Sequence, residues 1–218
     1  MSVVVRRGAV RELHELDPLA AVGDAATPAG DVWWLQPDDA ALVLGSRQTP
    51  DIVDTDECAR LGLDVVRRRS GGGAVLVVPD QLVWIDIVAP PGAAPDDVRG
   101  SMVWAGELWR RALAPSVGDA GALSVHTGSM ERTAWCDLVC FAGIGPGEVL
   151  LDGRKLVGLS QRRTRNGTRI QGTLYTEPPA IDITRLLRSP LPSDPFPAIA
   201  TLPVDPPALA NTLAAELR

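Results

Sequence analysis

An α+β fold, with a largely antiparallel or mixed central sheet and helices packed against it, follows from three features of the 218-residue chain. Short β-branched and aromatic runs recur through its first two thirds, two tight-turn signals fall in its second half, and one long amphipathic helical pattern lies between them. Tight turns join antiparallel neighbours, so the second half supplies hairpins to the sheet.

Val3–Val5, Val32–Leu35, Ala41–Leu44 and Asp64–Val66 read as strands by their β-branched and aromatic content. Thr55 to Leu61 predicts a short helix ended by Gly62. Leu82 to Val88 alternates, with Val83, Ile85 and Ile87 on one face and Trp84 and Asp86 on the other. Pro95, Asp96 and Asp97 open the strongest helix. There Val98, Met102, Ala105, Trp109 and Ala112 recur at helical spacing, and both Trp104 and Trp109 are expected in the core. Glu148–Leu151 and Lys155–Gln161 are strands joined by an Asp152–Gly153 turn, and Asn166–Gly167 is a second such turn before a strand Arg169–Thr176. Alternation places Lys155 and Val157 on one face, Leu156 and Gly158 on the other. Seven prolines between Ser189 and Pro207 exclude a regular element over 189–207, and Leu209, Leu213 and Leu217 mark a closing helix.

With 21 basic and 27 acidic side chains the net charge is −6, which argues against a general nucleic-acid binder. The longest apolar stretch, Ala74 to Val88, is broken by Pro79, Asp80, Gln81 and Asp86, so no membrane helix is predicted. Arg6 and Arg7 follow a three-valine run, the reverse of a secretory signal. Three cysteines make no disulfide framework. The expectation is one cytoplasmic domain over residues 1–218, without nucleic acid or membrane as partner.

Two segments carry chemistry. Between two strands lies Arg67-Arg68-Arg69-Ser70-Gly71-Gly72-Gly73-Ala74-Val75. Three glycines let backbone approach a ligand and present N–H groups to an anion, while the arginines add bidentate donors. No Gly-Lys-Ser/Thr follows, so this is not a P-loop. The second segment holds the only lysine of the chain, against 20 arginines: Gly153-Arg154-Lys155-Leu156-Val157-Gly158-Leu159-Ser160-Gln161. A primary amine and a guanidinium differ in shape and in the ability to lose a proton, so Lys155 stands out. Gly172, inside Gly172-Thr173-Leu174, suggests close approach in the next strand. Arg162, Arg163, Arg165 and Arg169 form a basic cluster, read either as a solvated hairpin edge or as a surface that docks an acidic carrier or lipoyl domain. Cys136 and Cys140 form a Cys-x-x-x-Cys pair that only His14 and His126 could complete as a zinc site, and no metal site is assigned.

In order and spacing these segments resemble the biotin/lipoate ligase superfamily, specifically lipoate–protein ligases and octanoyltransferases, over about residues 41–176. Leu44-Gly45-Ser46-Arg47-Gln48 is similar to the family's first strand and Gly-x-x-Gln loop, and Arg67–Val75 to its Arg-Arg-x-Ser-Gly-Gly-Gly-Ala-Val signature. Lys155–Gln161 is similar to its Lys-x-x-Gly-x-x-Gln motif, and Gln171–Leu174 to its His-Gly-Thr-Leu motif. The family's His-Asp and Gly-Asn are here Val77-Val78 and Asp80-Gln81, and Gln171 replaces its histidine.

The resemblance implies a class II synthetase-like catalytic domain that attaches lipoyl or octanoyl to a lysine. The acceptor would be a lipoyl domain of a 2-oxoacid dehydrogenase complex or the glycine cleavage H protein. It implies that Lys155 contacts the acyl carbonyl or bridging oxygen. Arg47, Arg68, Ser70, Gly71, Gly72, Gly73, Ala74 and Val75 would bind the acyl-adenylate together with Gly158, Ser160, Gln161, Gln171, Gly172 and Thr173. A ligase would use ATP and Mg²⁺ with lipoate or octanoate. A transferase would need no cofactor and would take octanoyl from acyl carrier protein through a Cys140 thioester. Cys140-Phe141 resembles that branch's cysteine motif, and the ligases' Arg-Asn-Asp is absent. A separate accessory domain and a noncatalytic acyl or lipoyl-domain binder are the further alternatives.

Overall fold

The computed structural model describes residues 3–20 and 31–217. Its strands are β1 (Val3–Gly8), β2 (Asp31–Pro37), β3 (Ala41–Leu44), β4 (Asp64–Arg67), β5 (Val75–Val77), β6 (Leu82–Ala89), β7 (Leu123–Val125), β8 (Val149–Leu151), β9 (Arg154–Thr164) and β10 (Gly167–Tyr175). Its helices are α1 (Val10–Glu15), α2 (Thr55–Arg60), α3 (Val98–Leu113) and α4 (Pro206–Glu216). Seven strands form one sheet in the order β1-β2-β6-β10-β9-β8-β7, and three form a smaller one, β4-β3-β5. β1–β2 and β3–β4 pair in parallel and the remaining pairs are antiparallel, which is the mixed α+β architecture expected. Among the described residues no helix is long and apolar enough to cross a membrane.

The large sheet is buried on both faces, and alternation along β6 sorts its side chains. Val83, Ile85 and Ile87 join Ala105, Leu108 and Trp109 of α3 and Leu209 and Leu213 of α4 in one core. Leu82 and Trp84 point the other way, into a second core with Val43, Val75 and Val77 of the small sheet. On the far side of that sheet Leu42, Leu44 and Leu76 pack on Cys58 of α2. Local chemistry fixes the helix ends. Asp54 caps α2 by accepting from Glu57 N at 2.9 Å, and Gly62 stops it at φ +68°. Asp97 caps α3 through Gly100 N at 2.7 Å.

Four local expectations are corrected. A register shift between β8 and β9 pairs Leu150 with Lys155 and Val149 with Val157, leaving Leu156 as an extra residue. Lys155 therefore shares the face of Gly158, not that of Val157. The β9–β10 turn is Arg165–Asn166, because Gly167 already pairs with Thr164. Val98, placed in the helix's apolar stripe, is 62% exposed at the first turn of α3, where it borders a cleft instead of the core. Arg169 is buried, not part of a surface cluster, since its guanidinium pairs with the interior Asp86 carboxylate at 2.6 Å. Of the others, Arg162 pairs with Asp17 and Arg163 donates to the Pro95 carbonyl.

Candidate active site

The glycine loop joins β4 to β5 and is stitched to the segment around Cys140 by backbone contacts. Ala74 N donates to Leu138 O at 2.7 Å, and Cys140 N donates to Ala74 O at 2.9 Å. Close approach explains the glycines here. A Cβ on Gly45 would lie 1.8 Å from Gly72 O, one on Gly73 would lie 2.6 Å from Val139 C, and Gly72 itself has φ +101°. Arg68 is buried behind this loop. Its Nη1 donates to Val43 O at 3.3 Å, and its Nη2 to Gly71 O at 2.8 Å and Gly73 O at 2.9 Å, while Nε has no partner. Burial lowers the basicity of this guanidinium, and Cys140 partly opposes the shift.

Lys155 reaches the same place from β9. Its ammonium is 2.7 Å from Glu148 Oε1 and donates to Cys140 O at 2.7 Å and Gly143 O at 3.0 Å, with the Phe141 ring centroid 5.2 Å away. Both members of the ion pair are buried. Glu148 also accepts from Gly145 N and Leu159 N, so its carboxylate is held from three sides. Ser70 Oγ lies 3.0 Å from Ser160 Oγ and donates to Gln171 Oε1 at 2.7 Å, linking the glycine loop to β9 and β10.

Three connected cavities surround these groups. A cleft of about 360 Å³ is lined by Gly71, Gly72, Gly73, Cys140, Lys155, Ser160 and Gln161, with Val98, Met102 and Met130 at its rim. Beyond Gly72 and Gly73 it adjoins a second volume of about 590 Å³ lined by Arg47, Gln48 and Arg132. At Cys140 and Ser160 it meets a slot of about 30 Å³ running between the two sheets, with Arg68, Val75, Gly158, Gln171 and Thr173 in its walls.

A family model described as the lipoyl protein ligase A/B catalytic domain matches residues 22–194. The chain belongs to that family. No curated protein matches the chain. Among solved structures, a lipoate-protein ligase A bound with ATP superposes with TM-score 0.73 at 14% identity, covering 98% of this chain and 82% of that one. A bi-partite lipoate protein ligase from Thermoplasma acidophilum, described with its E2 lipoyl domain, gives 0.67 at 14% identity over 99% and 82%. The biotin protein ligase of Leishmania major with biotinyl-5-AMP gives 0.53 at 10% identity over 99% and 73%. At these identities the likeness is one of fold.

In this lipoyl ligase-family domain most motif residues converge, but two face away from the cleft. Ala74 packs in the outer core with Leu42 and Leu44, so only its backbone serves the loop. Gly172 faces α3, where a Cβ would come within 2.6 Å of the Trp109 indole; the glycine makes room for a core tryptophan. Three residues at these cavities were not singled out as binding groups. In the sequence Glu148 marks only the start of a strand, His14 only a metal candidate, and Trp84 only one side of an alternation. His14 and Trp84 line the slot with ring centroids 4.4 Å apart. Burial, with the charges of Arg169 and Arg68, pushes the His14 imidazole down to about 3, so it is neutral at pH 7.

Proposed function

We propose that this protein transfers a lipoyl or octanoyl group to a lysine of a lipoyl domain, by way of an acyl-adenylate bound in the central cleft. The observation that carries this reading is the convergence of Lys155, the three-glycine loop and Ser160 on one cavity that continues into an apolar slot. The slot has the apolar walls a hydrocarbon tail needs, and at about 30 Å³ as it stands its sides would have to part to admit one. The cleft suits the acyl carbonyl, and the larger volume beside Arg47 and Arg132 suits a nucleotide. ATP, bound by the lipoate-protein ligase A with this fold, would be the activating substrate.

In the first step the acid's carboxylate oxygen bonds to the α-phosphorus and pyrophosphate leaves. In the second, the acceptor amine attacks the acyl carbonyl, AMP departs with the bonding pair, and the amine loses a proton to leave an amide. Lys155 would give one of its carbonyl contacts to the acyl oxygen and stabilise the charge that develops there. The glycine loop holds the reacting carbonyl in place by close backbone approach. Among the described residues no three His, Cys, Asp or Glu side chains group as a metal site. Mg²⁺ would accompany the nucleotide, and no step is assigned to a protein-bound ion.

A second reading is favoured by the position of Cys140. The point where a Gly72 Cβ would sit is 3.8 Å from Cys140 Sγ and 2.9 Å from Arg68 Nη2, so the thiol stands at the junction of cleft and slot beside a buried cation. There a Cys140 thiolate would attack a carrier thioester, release the carrier thiol, and pass the acyl group to the lysine amine. The acceptor in both readings is a lipoyl domain, the kind of partner described with the Thermoplasma ligase.

Intact mass of an apo lipoyl domain separates the two. With octanoate or lipoate, ATP and Mg²⁺, a mass gain unaffected by Cys140→Ser supports the ligase. A gain only with octanoyl-carrier protein, lost in Cys140→Ser, supports the transferase. No gain in either mixture, with an accessory chain supplied or not, removes the acyltransferase reading and leaves a binding role.

A further inference from the structure

We propose that His14 sets the length of acyl chain this protein accepts, by closing the far end of the slot between the two sheets. This rests on the acyl-binding reading above. The direction of the slot follows from the strand register. Its open end is at Cys140 and Ser160, which also line the cleft. Gly158 of β9 pairs with Thr173 of β10, which pairs with Trp84 of β6. A tail entering beside β9 thus crosses β10 and meets Trp84 after two strand spacings, roughly 9.5 Å. His14 stacks on that tryptophan, its ring centroid 4.4 Å away.

The wall is anchored. Val10 and Leu13 of α1 are buried, Arg169 donates to Leu16 O at 2.7 Å, and Asp17 pairs with both Arg162 and Arg69. Arg69 immediately precedes Ser70 and the glycines, so the segment that carries His14 is tied to the base of that loop. Val43, Val75 and Val77 make the sides apolar, and the neutral imidazole lets an uncharged hydrocarbon end against it.

The test is calorimetric binding of hexanoate, octanoate, decanoate and dodecanoate to the full chain, with His14→Ala and His14→Trp beside it. Affinity should rise about fourfold per methylene until the chain meets the wall, then fall. His14→Ala should move the best-bound acid to a longer chain, and His14→Trp should move it to a shorter one. Opposite displacements cannot come from general loss of structure. The same optimum in all three proteins would overturn the role of His14 and leave acyl binding standing. Binding of none of the acids would remove the acyl-binding reading, and this inference with it.

Discussion

The Lys155 ammonium and the Glu148 carboxylate lie 2.7 Å apart, and both are buried. Removing one member of such a pair leaves a charge in the interior and costs about 3–5 kcal/mol, whereas removing both costs less. Glu148→Ala and Lys155→Ala should each shift urea unfolding strongly, and the double variant should recover part of the loss. Transfer to a lipoyl domain should not recover with stability, because Lys155 is assigned to the acyl carbonyl. Lys155→Arg should be nearly as inactive as Lys155→Ala, since a planar guanidinium does not fit the three-partner cage of Glu148, Cys140 and Gly143. Restored turnover in the stable double variant would end the catalytic assignment of Lys155.

The glycines of the loop are not equivalent. A Cβ on Gly45 or Gly73 would collide with backbone at 1.8 or 2.6 Å, while one on Gly71 meets nothing within 4 Å. Gly45→Ala and Gly73→Ala should therefore weaken acyl binding tenfold or more, on the order of 1.4 kcal/mol. Gly71→Ala should leave binding and melting temperature close to wild type. Calorimetric titration with octanoate, next to thermal melts, reads both. Equal losses at all three positions would mean that the loop acts through flexibility instead of close approach.

Arg169 and Arg165 stand four residues apart in the sequence and differ completely in setting. Arg169 Nε meets Asp86 Oδ2 at 2.6 Å in the interior, where Trp84 Nε1 also donates to Asp86 at 2.7 Å, whereas Arg165 is exposed at the hairpin turn. Burial nevertheless pushes the Asp86 carboxyl above the usual carboxylate range, so the pair does not fully offset its own desolvation. Arg169→Met should cost about 3–5 kcal/mol in chemical unfolding, and Arg165→Met less than about 0.5. Similar small effects would place Arg169 at the surface after all.

This contrast shows where the sequence was readable. Strand β6 could be read because alternation survives burial of both faces, and α2 and α3 because Gly62 stops the one and Asp97 opens the other. A glycine run and a lone amine stand out in the sequence, but each also has a plain reading as a turn or a solvated side chain, and it is the resemblance of the motifs in order and spacing that joins them into one candidate site. The face of Lys155 was not, since one extra residue at Leu156 inverts the alternation and depends on β8, a strand whose register no local pattern reveals. Arg169 looked like its neighbours because a charge run carries no sign of an interior carboxylate, and Asp86 lies 83 residues away. His14 was missed for the same reason. Its role depends on Trp84, brought to it only by tertiary packing.

The imidazole of His14 gives a pH dependence whose sign can be worked out. In the folded protein it takes up a proton only near pH 3, and in the unfolded chain at its ordinary value near 6.5. Below about pH 6.5 the unfolded state therefore binds more protons, and stability falls as pH falls. The stability contributed is complete above about pH 6.5 and is lost progressively down to about pH 3, where the folded state is protonated as well. Between pH 7 and 5 the loss should be about 2 kcal/mol. Carboxylates add their own slope at lower pH, so the quantity to measure is the difference between wild type and His14→Gln in urea unfolding across that window. The glutamine variant should be nearly flat from pH 7 to 5. A wild-type curve parallel to it would show that His14 titrates alike in both states, and so faces water and not the closed end of a slot.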